Sequence, residues 1–289
     1  MCNSSSMPQF LLLAFTDRRK LQLLQFWLFL AISLAALLAN GLILSTLACD
    51  HHLHTPMGFF LLNLSLTDLG CICTTVPKAM HNSLWDIPTI SYTRCAAQLF
   101  FFFFFISAEL CLLTIMCYDH YVAICKPLHY GTLLGSRACA HMAAAAWATG
   151  FLSALLHTAS TFSLPLCQGN ALGQFFCEIP HILKLSCSHS GYLREIGLIV
   201  VSQGRHKAFS TCLPHLTVVS LFISTSFFAY LKPPSISSPS LDLIVSVLYS
   251  VVSPTLNPLI YSLRNQDFSV KSCFRKQDVC LNFQDEFWV

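Results

Sequence analysis

Charge is what this chain has least of. Among 289 residues, 16 are lysine or arginine and 13 are aspartate or glutamate, so charged side chains make up 10%. Soluble domains carry roughly 25%, and the deficit excludes an ordinary water-soluble globular fold. The net charge of +3 supplies no basic face, so nucleic acid is not an expected partner. Fifteen cysteines are present, but none stand in a C-x-x-C pair. Most lie inside apolar runs, where a thiol behaves as a small hydrophobe. No G-x-G-D string marks an intramembrane aspartyl protease, and Asp68 and Asp119 lie at different depths, so paired-carboxylate catalysis is not expected. No internal repeat marks a transporter built from inverted halves. The last residues carry no CaaX lipidation motif. The N-terminus, MCNSSSMPQFLLLAF, lacks the pattern of a cleaved leader. The basic cluster Arg18-Arg19-Lys20 precedes an apolar run too long for a signal h-region, so that run is expected to remain as the first membrane span.

Long apolar runs are what the chain has in abundance. Hydrophobic residues make up 55%, and runs of about 20 residues, the length that crosses a bilayer, recur. They place spans at about 23–47, 58–76, 96–124, 139–162, 209–231 and 241–263, with a shorter apolar segment at 192–202. Residues 1–22 read as an outer tail, 23–265 as the bundle and 266–289 as a cytoplasmic tail. Arg264, Lys271, Arg275 and Lys276 favour the inner side for that tail. Asn3-Ser4-Ser5 is a glycosylation sequon in the outer tail; Asn63-Leu64-Ser65 is another, inside a span. His51, His52 and His54 have a zinc-binding composition, with an ordinary inner loop as the stronger reading. Pro77-Lys78 is expected to close the second helix. Ala143–Ala146 and Gly150 are small enough to admit close helix contact.

A few polar residues break these runs. Asn40 interrupts the first span, and Asp68 is the only charge in the second. An intramembrane carboxylate is a functional-site hypothesis by default. Phe100–Phe105 is an unbroken run of phenylalanines, so part of it faces lipid and part the bundle. Cys95, Cys167, Cys177 and Cys187 lie outside apolar runs. Four cysteines allow three pairings, and an outer loop is an oxidising place for them.

The third span runs into Met116–Tyr130, MCYDHYVAICKPLHY. Asp119, His120 and Tyr121 lie there at a membrane–water boundary, and Pro127 stops the helix. This string resembles the M-A-Y-D-R-Y-V-A-I-C-x-P-L-x-Y pattern of odorant receptors, a branch of the rhodopsin-like G-protein-coupled receptors. Leu53-His54-Thr55-Pro56-Met57 resembles their first inner loop. Lys207–His215, KAFSTCLPH, resembles K-A-F-S-T-C-x-S-H, with Pro214 at the usual serine. Pro254–Asn265 resembles P-x-x-N-P-x-I-Y-S-L-R-N. Within odorant receptors the chain looks most like the family 14 type.

The resemblance implies an all-α membrane protein with a rhodopsin-like seven-helix bundle. It implies a small odorant ligand near Phe102, Phe103, Ile106, Ser107, Ile223 and Phe227. A stimulatory, olfactory-type heterotrimeric G protein would couple through Asp119, His120, Tyr121, Asn257, Pro258 and Tyr261. Asn40, Asp68, Glu109, Ser253 and Asn257 would form a polar cluster able to hold sodium, the one cofactor considered. Cys95–Cys177 and Cys167–Cys187 would be disulfides. The plasma membrane is the implied location, with membrane lipid and a receptor dimer as further partners.

Two departures from the family pattern stand out. His120 replaces the family's arginine, losing a permanent fork-shaped charge; histidine titrates near neutrality. The fifth span stops after Ser202, and Gln203-Gly204-Arg205-His206-Lys207 already resembles the start of the sixth helix. From Arg194 to Lys207 a helix rises only about 20 Å against a hydrocarbon core of roughly 30 Å. The expectation is six full spans plus a stub, impaired signalling, and retention in the endoplasmic reticulum as one fate. The alternative is a receptor-derived membrane protein that acts by associating with full-length receptors.

Overall fold

The computed structural model describes residues 9–12, 19–49, 55–85, 89–164, 171, 172, 177, 179, 182, 185 and 257. The segments 192–202, 209–231 and 266–289 lie outside them, as does 241–263 apart from Asn257. The same holds for Asn3, His51, His52, His54, Cys167, Cys187, Ile223, Phe227, Ser253, Pro258 and Tyr261.

Four long helices dominate the described residues: α1 (Arg19–Cys49), α2 (Pro56–Trp85), α3 (Tyr92–Cys125) and α5 (Ser136–Phe162). A one-turn helix, α4 (Tyr130–Leu133), lies between the last two. All four long helices are long and apolar enough to cross a membrane. The 27 residues of α5, the shortest, give about 40 Å at ~1.5 Å per residue, more than the hydrocarbon core needs. In lipid a backbone must satisfy its own hydrogen bonds, which leaves an apolar run little choice but helix. Hydroxyls inside the spans follow the same rule by bonding back to their own helix. Ser33 donates to Phe29 O (2.7 Å), Thr75 to Cys71 O (3.0 Å) and Ser83 to Ala79 O (2.9 Å).

Each helix end has a local cause. Thr55 accepts the Gly58 amide at 3.1 Å, and Pro56 occupies the first helical position, where its missing N–H costs nothing. Ser91 caps α3 by accepting the Arg94 amide at 3.3 Å. Helix α3 ends at Cys125, two residues before Pro127. The far end of α2 is held from outside. Arg19 Nη2 donates to Leu84 O at 2.7 Å and Nη1 to Ser83 O at 3.4 Å, a basic group on the carbonyls a helix C-terminus leaves open. The basic cluster at the start of α1 therefore has a structural use.

One expectation is corrected. Pro77 does not close α2; the helix continues through it to Trp85. A membrane helix tolerates an internal proline because its packed surroundings hold the helix together across the one missing bond; Gln98 of α3 donates to Thr74 O nearby, at 3.0 Å. The fold is built of helices, with one small addition that the sequence reading did not contain. Strands β1 (Gln9–Leu12), β2 (Thr89–Ser91) and β3 (Ala171–Leu172) form a small sheet in the order β2-β1-β3. β1 pairs antiparallel with β2 (Phe10 opposite Ile90) and parallel with β3 (Leu11 opposite Ala171). Residues 1–22 were expected to be a tail, yet they contain the central strand and the first turn of α1.

Helix α3 packs between α2 and α5, and α1 packs on α2. The α3–α5 seam is close because α5 presents Ala143, Ala146 and Gly150 to it, all buried. A Cβ on Gly150 would lie 2.7 Å from Phe104 O and 3.1 Å from Ala108 Cβ, so glycine is required there. Leu24, Trp27 and Leu28 of α1 and Phe151, Leu152 and Leu155 of α5 stay exposed, as expected of faces that meet lipid.

Candidate functional site

The phenylalanine run in α3 divides by direction. Phe102 and Ile106 are buried in one apolar cluster with Phe29 of α1 and Ile72 and Val76 of α2. Phe101 is 48% exposed. Phe103 is half-buried and lies against His157 of α5, ring centroids 4.9 Å apart. Ser107, one turn on, donates to Ser153 Oγ at 3.3 Å. So of the four ligand residues expected on α3, two turn toward α1 and α2 and two meet α5.

Deeper in the bundle three polar residues meet. Asn257 Nδ2 donates to Asp68 Oδ1 at 2.9 Å and to Glu109 Oε1 at 2.8 Å. All three are buried. Buried polar groups in hydrocarbon need such partners, and the cluster joins α2, α3 and residue 257, which is 189 positions from Asp68. Asn40 is fully buried in α1, where its Nδ2 donates to Ala36 O at 3.0 Å.

At the opposite end of α3 from the sheet, Asp119 is 3% exposed. Its Oδ1 accepts the Tyr130 hydroxyl at 2.8 Å, and its Oδ2 lies 3.7 Å from His120 Nδ1. Pro127 turns the chain back, so Tyr130, eleven residues on, reaches the acid from α4. The Tyr130 hydroxyl has its pKa pushed well up, first by burial and then by the hydrogen bond and charge of Asp119. It therefore stays a donor across the physiological range. Tyr121 is 37% exposed on the outer side of the same turn.

At the sheet end, Cys95 is joined to Cys177 by a disulfide with Cα atoms 5.6 Å apart. It lies in an apolar cluster with Phe10, Leu12, Ile90 and Leu172, so the sheet and the disulfide share one core.

Several contributors were not singled out from the sequence. Trp147 Nε1 donates to Asn63 Oδ1 at 2.9 Å, so the asparagine of the second sequon ties α2 to α5. A lone tryptophan among alanines was the available signal. His157 is 3% exposed, and Gln98 is 8% exposed and bonded at both ends. A polar side chain in an apolar run could have marked either.

Four helices long and apolar enough to cross a membrane, a buried carboxylate cluster and an acid–tyrosine pair at one helix end describe a membrane protein, and the family comparison gives its class, a receptor of the rhodopsin type. The family model described as 7 transmembrane receptor (rhodopsin family) matches residues 39–205, and the one described as Olfactory receptor matches 188–276. Human olfactory receptor 14J1 is 45% identical, over 96% of this chain and 94% of its own length. Human olfactory receptors 14A16 and 14C36 are each 43% identical over 93% of this chain, covering 96% and 95% of their own lengths. The chain belongs to the olfactory receptor family. It is a receptor and not an enzyme.

Proposed function

We propose that this chain is an odorant receptor for small volatile or apolar ligands, coupled to a stimulatory, olfactory-type G protein, whose own signalling is weakened by a shortened fifth span and by His120. The observation that carries the weakening is the break between Ser202 and Gln203. The alignment with receptor 14J1 supports it: it runs over 304 positions although this chain has 289 residues, so that relative carries positions with no counterpart here.

In this reading Phe103 and Ser107 meet the ligand from α3, Phe102 and Ile106 back them, and Ile223 and Phe227 complete the pocket. Such pockets are mostly apolar with few polar anchors. Ligand binding favours the active state only to the extent that it prefers that state. Asp119, His120, Tyr121, Asn257, Pro258 and Tyr261 carry the change to the G protein. The Asp68–Asn257–Glu109 group draws a sodium ion, with Asn40 and Ser253 as neighbours. Cys167–Cys187 closes the outer loop and Asn3 carries glycan. The protein resides at the plasma membrane, with partial retention in the endoplasmic reticulum. A second reading rests on the same break: a receptor-derived protein that does not signal and associates with full-length receptors through its lipid-facing helices.

Topology tests the proposal. A C-terminal epitope tag is probed in intact and permeabilised cells, with glycosylation of Asn3 measured beside it. Glycan on Asn3 and a tag reached only after permeabilisation are expected. A tag reached in intact cells, with Asn3 glycosylated, puts both ends on one side; it removes the seven-span receptor and leaves the second reading.

A further inference from the structure

We propose that Gln98 is the positioning residue that locks Cys177, the far end of the disulfide, to the proline-bearing stretch of α2, so that Cys177, α2 and the ligand-facing stretch of α3 are held as one unit. This rests on the receptor reading above.

The observation is the double use of one amide. Gln98 is 8% exposed. Its Nε2 donates to Thr74 O at 3.0 Å, and its Oε1 accepts the backbone N–H of Cys177 at 3.0 Å. Each end meets a different part of the chain, 24 residues before it and 79 after it. Both partners matter. Thr74 follows Cys73, whose carbonyl is the one that loses its helical partner at Pro77. The donor from α3 binds the adjacent carbonyl, Thr74 O, and so braces the stretch of α2 that carries the proline inside the helix. Cys177 is the loop end of the disulfide to Cys95. A disulfide alone fixes a separation but leaves the loop free to pivot about it. The bond from Cys177 N–H to Gln98, about one turn further along α3, adds a second fixed point. Ile179 adds a third by packing, fully buried, against Leu99.

The geometry has a functional direction. Gln98 and Leu99 stand four residues before Phe102 and Phe103, which is one turn on the same faces of α3. Cys177 and Ile179 are therefore held about one turn of α3 from the expected ligand residues, and Cys177 is coupled to α2 through a single side chain. The amide of Gln98 offers a donor and an acceptor at once. A carboxylate offers acceptors alone, and a thioether offers neither bond at useful strength.

The test uses the full chain in lipid nanodiscs and two variants. Gln98→Met keeps length and volume and removes both bonds. Gln98→Glu keeps an acceptor for the Cys177 amide and removes the donation to Thr74. Amide hydrogen exchange is followed at Cys177 and across Pro77–Ser83, with the Cys95–Cys177 disulfide scored by free-thiol count. Losing a bond of ordinary net strength is expected to speed exchange about tenfold. Gln98→Met should speed both segments with the disulfide intact. Gln98→Glu should speed the α2 segment and leave Cys177 near wild type, a split that general loosening of the fold would not produce. Exchange at Cys177 within twofold of wild type in Gln98→Met overturns the proposal, and so does an α2 segment unmoved by both variants. If Gln98→Met loses the disulfide, the Gln98→Glu split alone decides. No odorant or G protein enters the assay, so a chain silent in signalling still gives the answer.

Discussion

Replacing Tyr130 by phenylalanine removes one oxygen and isolates one interaction. That hydroxyl donates to Asp119 Oδ1 at 2.8 Å, and Asp119 is 3% exposed. A hydrogen bond to a charged partner contributes about 1.5–3 kcal/mol, and each 1.4 kcal/mol is about a tenfold change in an equilibrium. α4 is a single turn with no buried residue of its own, so this bond is its main tether to α3 among the described contacts. The opening equilibrium of α4 should therefore rise by about ten- to a hundredfold in Tyr130→Phe. The Leu134 amide, which donates to Tyr130 O at 2.9 Å, reports it by hydrogen exchange. The pH dependence has a definite sign. Tyr130's pKa is raised in the fold, so its stabilisation is complete below the ordinary tyrosine value of ~10 and is lost only as pH climbs from there toward the folded value. The ratio of exchange rates between variant and wild type should stay constant from pH 6 to 9. A Leu134 rate within twofold of wild type, or a ratio that collapses inside that interval, would refute the reasoning.

Gly150→Ala should cost about 1–3 kcal/mol by overpacking, because the new methyl would meet the Phe104 carbonyl at 2.7 Å; a thermal melt of purified protein checks this. Asn257→Ala removes the donor shared by Asp68 and Glu109. The two lost bonds should cost about 2–5 kcal/mol together, seen as a lower melting temperature and as faster exchange in α2 near Asp68. Cys177→Ser opens a link between residues 82 positions apart. Chain entropy for a loop of that length gives about 4–5 kcal/mol, and a reducing agent should lower the wild-type melting temperature at least as far as that of the variant.

What the sequence disclosed follows the physics of each signal. The four spans among the described residues were legible because lipid leaves an apolar run one backbone solution. Asp68 stood out as a charge inside a span, while its grouping with Glu109 and Asn257 came from the family resemblance; Asn257 donates to both carboxylates. The Cys95–Cys177 pairing came from the family resemblance and is present. Pro77 misled because its local rule, that proline ends a helix, does not hold in a membrane span packed against neighbouring helices. Gln98 is 24 residues from Thr74 in the chain, and no local pattern announces that meeting. β1 was invisible for a similar reason. Gln9–Leu12 has no alternation, and its partners Ile90 and Ala171 lie about 80 and 160 positions away. The second sequon misled in the opposite way: Asn63 matches a surface motif, but its depth in α2 makes it a partner for Trp147.

The claim that the chain is an olfactory receptor weakened at its fifth span is tested most directly by odorant-driven cAMP. The unmodified chain is compared with one in which the matching fifth-span segment of receptor 14J1 is inserted between Ser202 and Gln203, both at equal surface level, over a panel of aliphatic alcohols, aldehydes and esters. The account predicts a response from the grafted chain and little or none from the unmodified one. An unmodified chain that responds as strongly as the graft would contradict it.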